Sequence, residues 1–104
     1  MSAYCLFQNL EIYNMEKMLS YVEAVQPLTK LFGGEYVSMG GNVEVKEGDW
    51  SPNYPVIIKF PSLKAATAWY DSEEYAPLKA LRESCGRFSA VFIEGNTDES
   101  RTDN

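Results

Sequence analysis

Residues 14–39 read NMEKMLSYVEAVQPLTKLFGGEYVSM, and this stretch decides the fold because it predicts a helix followed directly by a strand. Asn14 is a candidate N-cap, and the apolar residues after it recur at the three- and four-residue spacing of one helical face. Pro27 lies inside this pattern and predicts a kink or a division of the helix. The Gly33-Gly34 pair predicts its end, because glycine adopts the left-handed conformation without penalty.

Short runs of apolar or alternating residues predict strands on both sides of this helix. The runs are Tyr4–Leu10, Glu35–Met39, Asn42–Lys46, Val56–Phe60 and Arg87–Glu94. Gly40-Gly41 permits a bulge or a sharp bend after the second run. Residues 47–55 contain one glycine and two prolines, and we expect them to form a loop.

A second helical region precedes the last strand, with Ser62 as its predicted N-cap. Asp71 and Glu74 have the spacing of a capping box, so a second helix segment is predicted to begin inside the region. The Cys85-Gly86 pair is predicted to end this second helical region. The resulting order is β-α-β-β-α-β, which predicts an α+β fold of the ferredoxin-like kind with a four-stranded antiparallel sheet.

The two helices can cover only one face of this sheet, yet its first and last strands are apolar on both sides. Cys5 and Phe7 oppose Tyr4 and Leu6 in the first strand. One explanation is a few exposed hydrophobic residues, which are normal on a protein surface. We favour the other explanation, in which the open face packs against a second copy of the chain in a homodimer.

Composition excludes several classes of function. The chain of 104 residues has room for one domain, which we place at residues 1–94, with an acidic disordered tail at residues 95–104. Its net charge is -6 and it has no Lys/Arg cluster, so neither nucleic acid nor an anionic membrane is an expected partner. No signal peptide and no apolar run of about 20 residues is present, and a cytoplasmic location is expected.

The chain contains no histidine, and this removes imidazole bases, Ser-His pairs and most transition-metal sites. Its two cysteines, Cys5 and Cys85, are too few and too far apart in sequence for a disulfide framework or a metal site. We therefore expect neither a bound metal nor a cofactor. Any chemistry has to use carboxylates, Tyr, Lys, Arg or Cys.

Four segments carry a resemblance to a known family: the Gly33-Gly34 pair, the Gly40-Gly41 turn, GNVEVKEGDW at 41–50 and FPSLKAATAWYDSEEY at 60–75. Together they resemble a bacterial family of unknown function within the dimeric α+β barrel superfamily. The resemblance implies a homodimer whose sheets face each other and form a cleft. Other members of that superfamily include cofactor-independent monooxygenases, lactone isomerases and polyketide cyclases. Members often carry arginine where this chain has Met39.

An aromatic and hydroxyl-bearing cluster lies at the predicted break between the two helix segments. The members of this helix-break cluster are Trp69, Tyr70, Ser72 and Tyr75. Arg82 follows Tyr75 by two helical turns and shares its face, so a carboxylate or enolate oxygen could meet both. We take Tyr75 and Arg82 as candidate catalytic residues and the others as candidate ligand-binding residues. Alternatively, Trp69 and Tyr75 pack the core, Asp71 or Ser72 caps a helix, and Arg82 pairs with a surface glutamate.

The loop before the third sheet strand supplies further candidates. Asp49 is a candidate base if a dimer buries it, because desolvation raises a carboxyl pKa, and otherwise it caps a turn. Trp50 either anchors this loop or crosses to the partner. Tyr36 and Tyr54 either line a ligand pocket or cover a sheet edge. These roles are hypotheses, and the three-dimensional structure has to show where each residue lies.

Two classes of function fit the sequence. The first is a cofactor-independent isomerase, cyclase or oxygenase that acts on a small carbonyl-bearing molecule in a cleft at the dimer barrel. The second is a non-catalytic dimer that binds a small ligand or serves as a scaffold. An enzyme needs an accessible cleft with converging polar groups, whereas a scaffold fills the same space with side chains.

Overall fold

The computed structural model describes residues 1–96, so the predicted tail lies outside the described residues except for Gly95 and Asn96. Four strands and three helices follow one another in the order predicted from the sequence. They are strand β1 (Ala3–Ile12), helix α1 (Met15–Leu31), strands β2 (Glu35–Met39) and β3 (Val56–Phe60), helices α2 (Leu63–Tyr70) and α3 (Ala76–Ser84), and strand β4 (Gly86–Glu94).

The four strands form one antiparallel sheet in the order β2-β3-β1-β4. This order confirms the predicted ferredoxin-like fold, in which the central strands are the first and the third along the chain. The register places Cys5 opposite Ile58 on one side and opposite Phe92 on the other. These residues face the helices and form the sheet side of the core. No helix of the described region has the length and apolar character needed to span a membrane.

Helix α1 begins where the sequence predicted, since the Asn14 side chain accepts a hydrogen bond of 3.0 Å from the Lys17 amide. Pro27 does not divide the helix, which continues over 17 residues. The carbonyl that loses its partner belongs to Glu23, an exposed residue that water can reach. Buried residues on both sides of Pro27 hold the helix against the sheet. Gly33, with φ of 88°, ends it.

The predicted strand Asn42–Lys46 is wrong, because no strand lies between β2 and β3. The β2–β3 ladder ends where Met39 faces Val56, and the Gly40 amide then donates to the Pro55 carbonyl over 2.8 Å. This bond closes the ladder and excludes residues 41–54 from the sheet. The alternation that predicted a strand therefore belongs to an exposed loop, in which no neighbouring strand supplies pairing groups.

The second helical region begins at Ser62, whose hydroxyl accepts a 3.0 Å hydrogen bond from the Ala65 amide. The predicted break is present, but the predicted capping box is not. The Ser72 hydroxyl instead bridges the turn between the two helices: it accepts from the Tyr75 amide over 3.1 Å and donates to the Trp69 carbonyl over 2.8 Å. Tyr75, the N-cap of α3, makes no side-chain cap hydrogen bond. The break fixes the backbone of Tyr75 relative to α2.

One face of the sheet remains uncovered in the single chain. Tyr4, Leu6 and Gln8 stand opposite Ile93, Val91 and Ser89 in the β1–β4 register. Tyr4, Val91 and Ile93 are exposed, and Gln8 bonds to Ser89 across the strands. The open face therefore carries an apolar patch with a polar pair at its end, which agrees with the side assignment predicted for the two strands.

Candidate functional site

An apolar cavity of about 140 Å³ lies between α1 and the helix-covered face of the sheet. Its wall comes from α1, from all four strands, from α3 and from the loop before β3. The lining residues are Phe7, Asn9, Met18, Leu19, Tyr21, Val22, Val25, Tyr36, Met39, Tyr54, Val56, Ile58, Arg82 and Phe88. Leu19 and Tyr54 are also exposed, so the cavity reaches the surface beside them. The cleft expected from the sequence lies between the sheets of two protomers, whereas this cavity belongs to one chain.

A pair of tyrosine hydroxyls lies beside the cavity. Tyr21, on the buried side of α1, has its hydroxyl oxygen 2.9 Å from that of Tyr75, which immediately precedes α3. Burial is the largest cause of a raised pKa at both phenols, and the nearby Arg82 charge opposes it in each case. Both tyrosines are therefore neutral at physiological pH. The pair shares two protons, so one hydroxyl donates to the other. When Tyr75 is the donor, the O–H of Tyr21, which lines the cavity, is left for a ligand.

The hydroxyl of Tyr36 is left as a hydrogen-bond acceptor, whereas the tyrosine pair has a free donor. Thr29 donates its only hydroxyl proton to the Val25 carbonyl over 2.9 Å, and its Oγ1 lies 3.0 Å from the Tyr36 hydroxyl. Tyr36 must therefore donate to Thr29, which leaves the Tyr36 oxygen as an acceptor. Burial raises the pKa of Tyr36, so this hydroxyl also stays protonated at neutral pH. The cavity thus has one tyrosine oxygen that accepts and a tyrosine pair that can donate.

Arg82 is 5% exposed, so the alternative in which it pairs with a glutamate at the surface is wrong. Its guanidinium carbon lies 5.3 Å from the ring centre of Phe7 and 5.2 Å from that of Phe88. Among the described residues no carboxylate pairs with it, and its Nε has no hydrogen-bond partner. Two aromatic faces stabilise a cation but do not satisfy its N–H groups. Arg82 is the charged group among the described residues that line the cavity.

The helix-break cluster lies behind this site. Trp69 is 1% exposed, and its ring centre lies 4.6 Å from that of Tyr75. Tyr70 is half-buried, with its ring 5.5 Å from Tyr75 and 5.4 Å from Phe92. Ser72 uses its hydroxyl in the turn that leads from Trp69 to Tyr75. These three predicted ligand-binding residues surround and orient Tyr75, and none of them lines the cavity.

The remaining predicted residues divide between the cavity and the solvent. Tyr36 and Tyr54 both line the cavity, which is one of the two positions that the sequence left open for them. Tyr54 has a positive φ of 46°, and its ring occupies the space that a side chain at residue 40 would need. Asp49 and Trp50 lie on the exposed loop, with Trp50 60% exposed. The single chain does not bring these two residues to the cavity.

Sequence reasoning missed Tyr21 as a site residue. It belongs to the apolar stripe of α1, where a tyrosine at helical spacing is predicted to be a core residue. The only available signal was its hydroxyl, because a buried tyrosine O–H needs a partner. Cys5, by contrast, lies in the core, and burial raises the pKa of its thiol to about 12. A thiol in that state does not act as a nucleophile at neutral pH.

The fold and the cavity define a ferredoxin-like α+β domain that has an apolar cavity with the buried cation Arg82 in its wall. Residues 2–96 match the family described as domain of unknown function (DUF1330), and the chain belongs to that family. A comparison with curated proteins found no match.

Solved structures with the same fold are similar over most of the chain. A protein of unknown function from Rhodopseudomonas palustris shares 15% identity, with 92% of this chain and 83% of that chain covered and a TM-score of 0.72. A dimeric ferredoxin-like protein of unknown function from Jannaschia sp. CCS1 shares 12%, with 91% and 100% covered and a TM-score of 0.68. A candidate antibiotic biosynthesis monooxygenase from Nitrosomonas europaea shares 9%, with 93% and 91% covered and a TM-score of 0.51. At these identities the likeness concerns the fold alone.

Proposed function

We propose that each chain binds a small, mostly apolar, carbonyl-bearing molecule in the cavity beneath α1 and acts on it without a cofactor. The observation that carries the proposal is that Arg82 and Tyr21, whose hydroxyl bonds to that of Tyr75, line the same mostly apolar cavity. Arginine and tyrosine donors lower the energy of an oxyanion when they are fixed in a water-poor site. A carbonyl oxygen that gains negative charge during the reaction would be stabilised there. Isomerisation, cyclisation and cofactor-free oxygenation all pass through such an oxygen.

Each polar residue of the cavity would have its own role in this reaction. Arg82 would hold the developing oxyanion, and the free O–H of the Tyr21–Tyr75 pair would donate to it. Tyr36 would accept a hydrogen bond from a hydroxyl of the substrate. Asp49 and Trp50 could join the site only if their loop closes or if a partner's loop reaches across.

A non-catalytic ligand-binding protein is the second candidate, and one observation favours it. Among the described residues that line the cavity there is no carboxylate, and burial keeps the tyrosines protonated. A reaction that begins with proton abstraction normally needs a base within hydrogen-bond reach. An enzyme at this site would therefore depend on a substrate that reacts as an anion, whereas a binding protein needs no base.

The proposal includes a homodimer formed through the open face of the sheet. An exposed apolar patch of this kind is typical of an interaction surface. The Jannaschia protein with the same fold is dimeric, and this supports the proposal by analogy. A cytoplasmic location also fits, because both cysteines are free and buried.

A cavity-filling variant tests the site. Val22→Phe places a ring in the space beneath α1, while Val45→Phe makes the same change in the exposed loop. We expect small aromatic and carbonyl compounds to shift the amide resonances of residues around the cavity in the wild type and in Val45→Phe. Val22→Phe should abolish these shifts with its melting temperature retained. Shifts that survive in Val22→Phe would place ligand binding elsewhere.

Turnover separates the two candidates. A compound that binds at the cavity and is converted by the wild type, but not by Arg82→Met, would establish an enzyme. Binding without conversion of any bound compound would favour the ligand-binding protein.

A further inference from the structure

Among residues 1–96 the cation at the cavity wall has no counter-ion. Arg82 is 5% exposed, and the ion pairs of the described residues join Lys46 to Glu44 and Arg87 to Glu11, both in solvent. Ionisable groups approach Arg82 from every element packed against it. They are Tyr21 from α1, Tyr70 from α2, Tyr75 before α3, Lys79 and Glu83 on α3 itself, and Arg87 from β4. A buried charge without a partner is costly, so a protein that retains one commonly pairs it with a bound group.

The guanidinium lies where a ligand can reach it from two sides. Arg82 and Phe88 line the interior cavity and also a second, more open pocket of about 470 Å³ along the edge of β4. Glu83, Arg87 and Ser89 line only this outer pocket. Phe7 and Phe88 fix the position of the guanidinium, whose planar fork matches the two oxygens of a carboxylate.

The size of the cavity limits the rest of the ligand. A dry cavity of roughly 150 Å³ lined by apolar side chains is large enough for a benzene ring. The interior cavity here is about 140 Å³ and is lined chiefly by apolar and aromatic side chains. It therefore accommodates one small ring or a branched aliphatic group of similar volume.

We infer that the ligand enters as a monoanion, a carboxylate or an acidic enolate carried on an apolar body of about one ring, with its anionic oxygen at Arg82. The inference rests on the proposed function and deepens it by naming the class of ligand. A single negative charge balances the positive charge of Arg82. Because no described lining residue can remove a proton at neutral pH, the site suits a molecule that is ionised before it binds.

Benzoate and benzamide test the inference, because they have the same shape and differ in charge. We expect the wild type to bind benzoate more tightly by about tenfold or more, as for a hydrogen bond to a charged group. Arg82→Met should abolish this preference, since methionine replaces the stem of the side chain without its charge. Lys64→Gln removes one positive charge from the exposed surface of α2 and should leave the preference unchanged. The dissociation constants can be measured by ligand-detected NMR.

The outcomes separate the inference from the proposed function. Equal affinity for the two compounds in the wild type overturns the inference, and this comparison needs no variant that might fold poorly. Undiminished benzoate preference in Arg82→Met overturns it as well. If toluene binds at the cavity while benzoate does not, the inference fails and the cavity remains a ligand site. If none of the three compounds binds to the wild type, the proposed site fails together with the inference.

Discussion

The hydroxyl of Tyr21 lies 2.9 Å from the hydroxyl of Tyr75, and this contact joins α1 to the start of α3 beside the cavity. The two residues are 54 positions apart in the chain. Tyr75 is completely buried and Tyr21 nearly so, with Arg82 close enough to influence both. The geometry of the site therefore depends on the packing of two helices rather than on a local motif.

Removing one hydroxyl of this pair should destabilise the fold. Tyr75→Phe leaves the Tyr21 hydroxyl buried without a partner, and we expect a loss of about 1–2 kcal/mol in the free energy of unfolding. Tyr21→Phe should cost a similar amount. The double variant should lose less than the sum, because neither orphaned hydroxyl remains. Urea denaturation measures all three, and strictly additive losses would show that the contact contributes nothing.

A charge on the open sheet face should separate the dimer. Val91 is exposed in the single chain and faces Leu6 across the strands, so Val91→Glu would place a carboxylate in the proposed interface. Leu31→Glu makes a comparable change at the end of α1, on the other side of the molecule, and should remain dimeric. Sedimentation at micromolar concentration distinguishes the two states. A folded, monomeric wild type at that concentration would refute the homodimer.

Alkaline pH should weaken the fold because of its buried acids. Burial raises the pKa of Cys5 from about 9 to about 12, so the unfolded chain loses this proton at a lower pH than the folded chain. Stability should thus be unaffected by Cys5 below pH 9 and should fall between pH 9 and 12. The buried tyrosines act in the same direction from pH 10 upward. Denaturant midpoints across this range should fall less steeply in Cys5→Ala, and parallel curves would contradict the assignment.

The glycine pair after α1 is a sensitive point of the packing. A Cβ at residue 34 would lie 2.5 Å from Thr29 Cγ2 and 2.8 Å from the Phe60 ring, both in the core. Gly34→Ala should therefore reduce the free energy of unfolding by about 1–3 kcal/mol. At residue 41 the nearest atom to a Cβ is Ser38 Oγ at 3.5 Å, so Gly41→Ala should cause a much smaller change. Equal effects of the two substitutions would show that the close packing around Gly34 is absent.

Most elements of the fold were predictable because their signals are local. The cap at Asn14, the glycine stop and the strand runs need no knowledge of distant residues. The prediction failed for residues 42–46, since a strand needs a neighbour and the Gly40–Pro55 hydrogen bond excludes this segment from the sheet. Alternation of apolar residues does not reveal such a closure.

The candidate site was predictable only in part, for a related reason. Helical spacing predicted that Tyr75 and Arg82 share a face, and Arg82 is close enough to influence the pKa of Tyr75. Tyr36 and Tyr54 line the cavity, one of the two positions that the sequence left open for them. The contribution of Tyr21 and the location of the cavity depend on how far α1 stands from the sheet, which side-chain packing decides. The burial of Arg82 also depends on Phe7 and Phe88, which come from different strands.

A crystal structure of the wild type soaked with benzoate tests the central claim most directly. The account predicts the ring between α1 and the sheet, with the carboxylate within hydrogen-bond distance of Arg82 and a tyrosine O–H directed at it. Benzoate bound only outside this cavity, or α1 packed down on β3 with the space closed by side chains, would contradict the account.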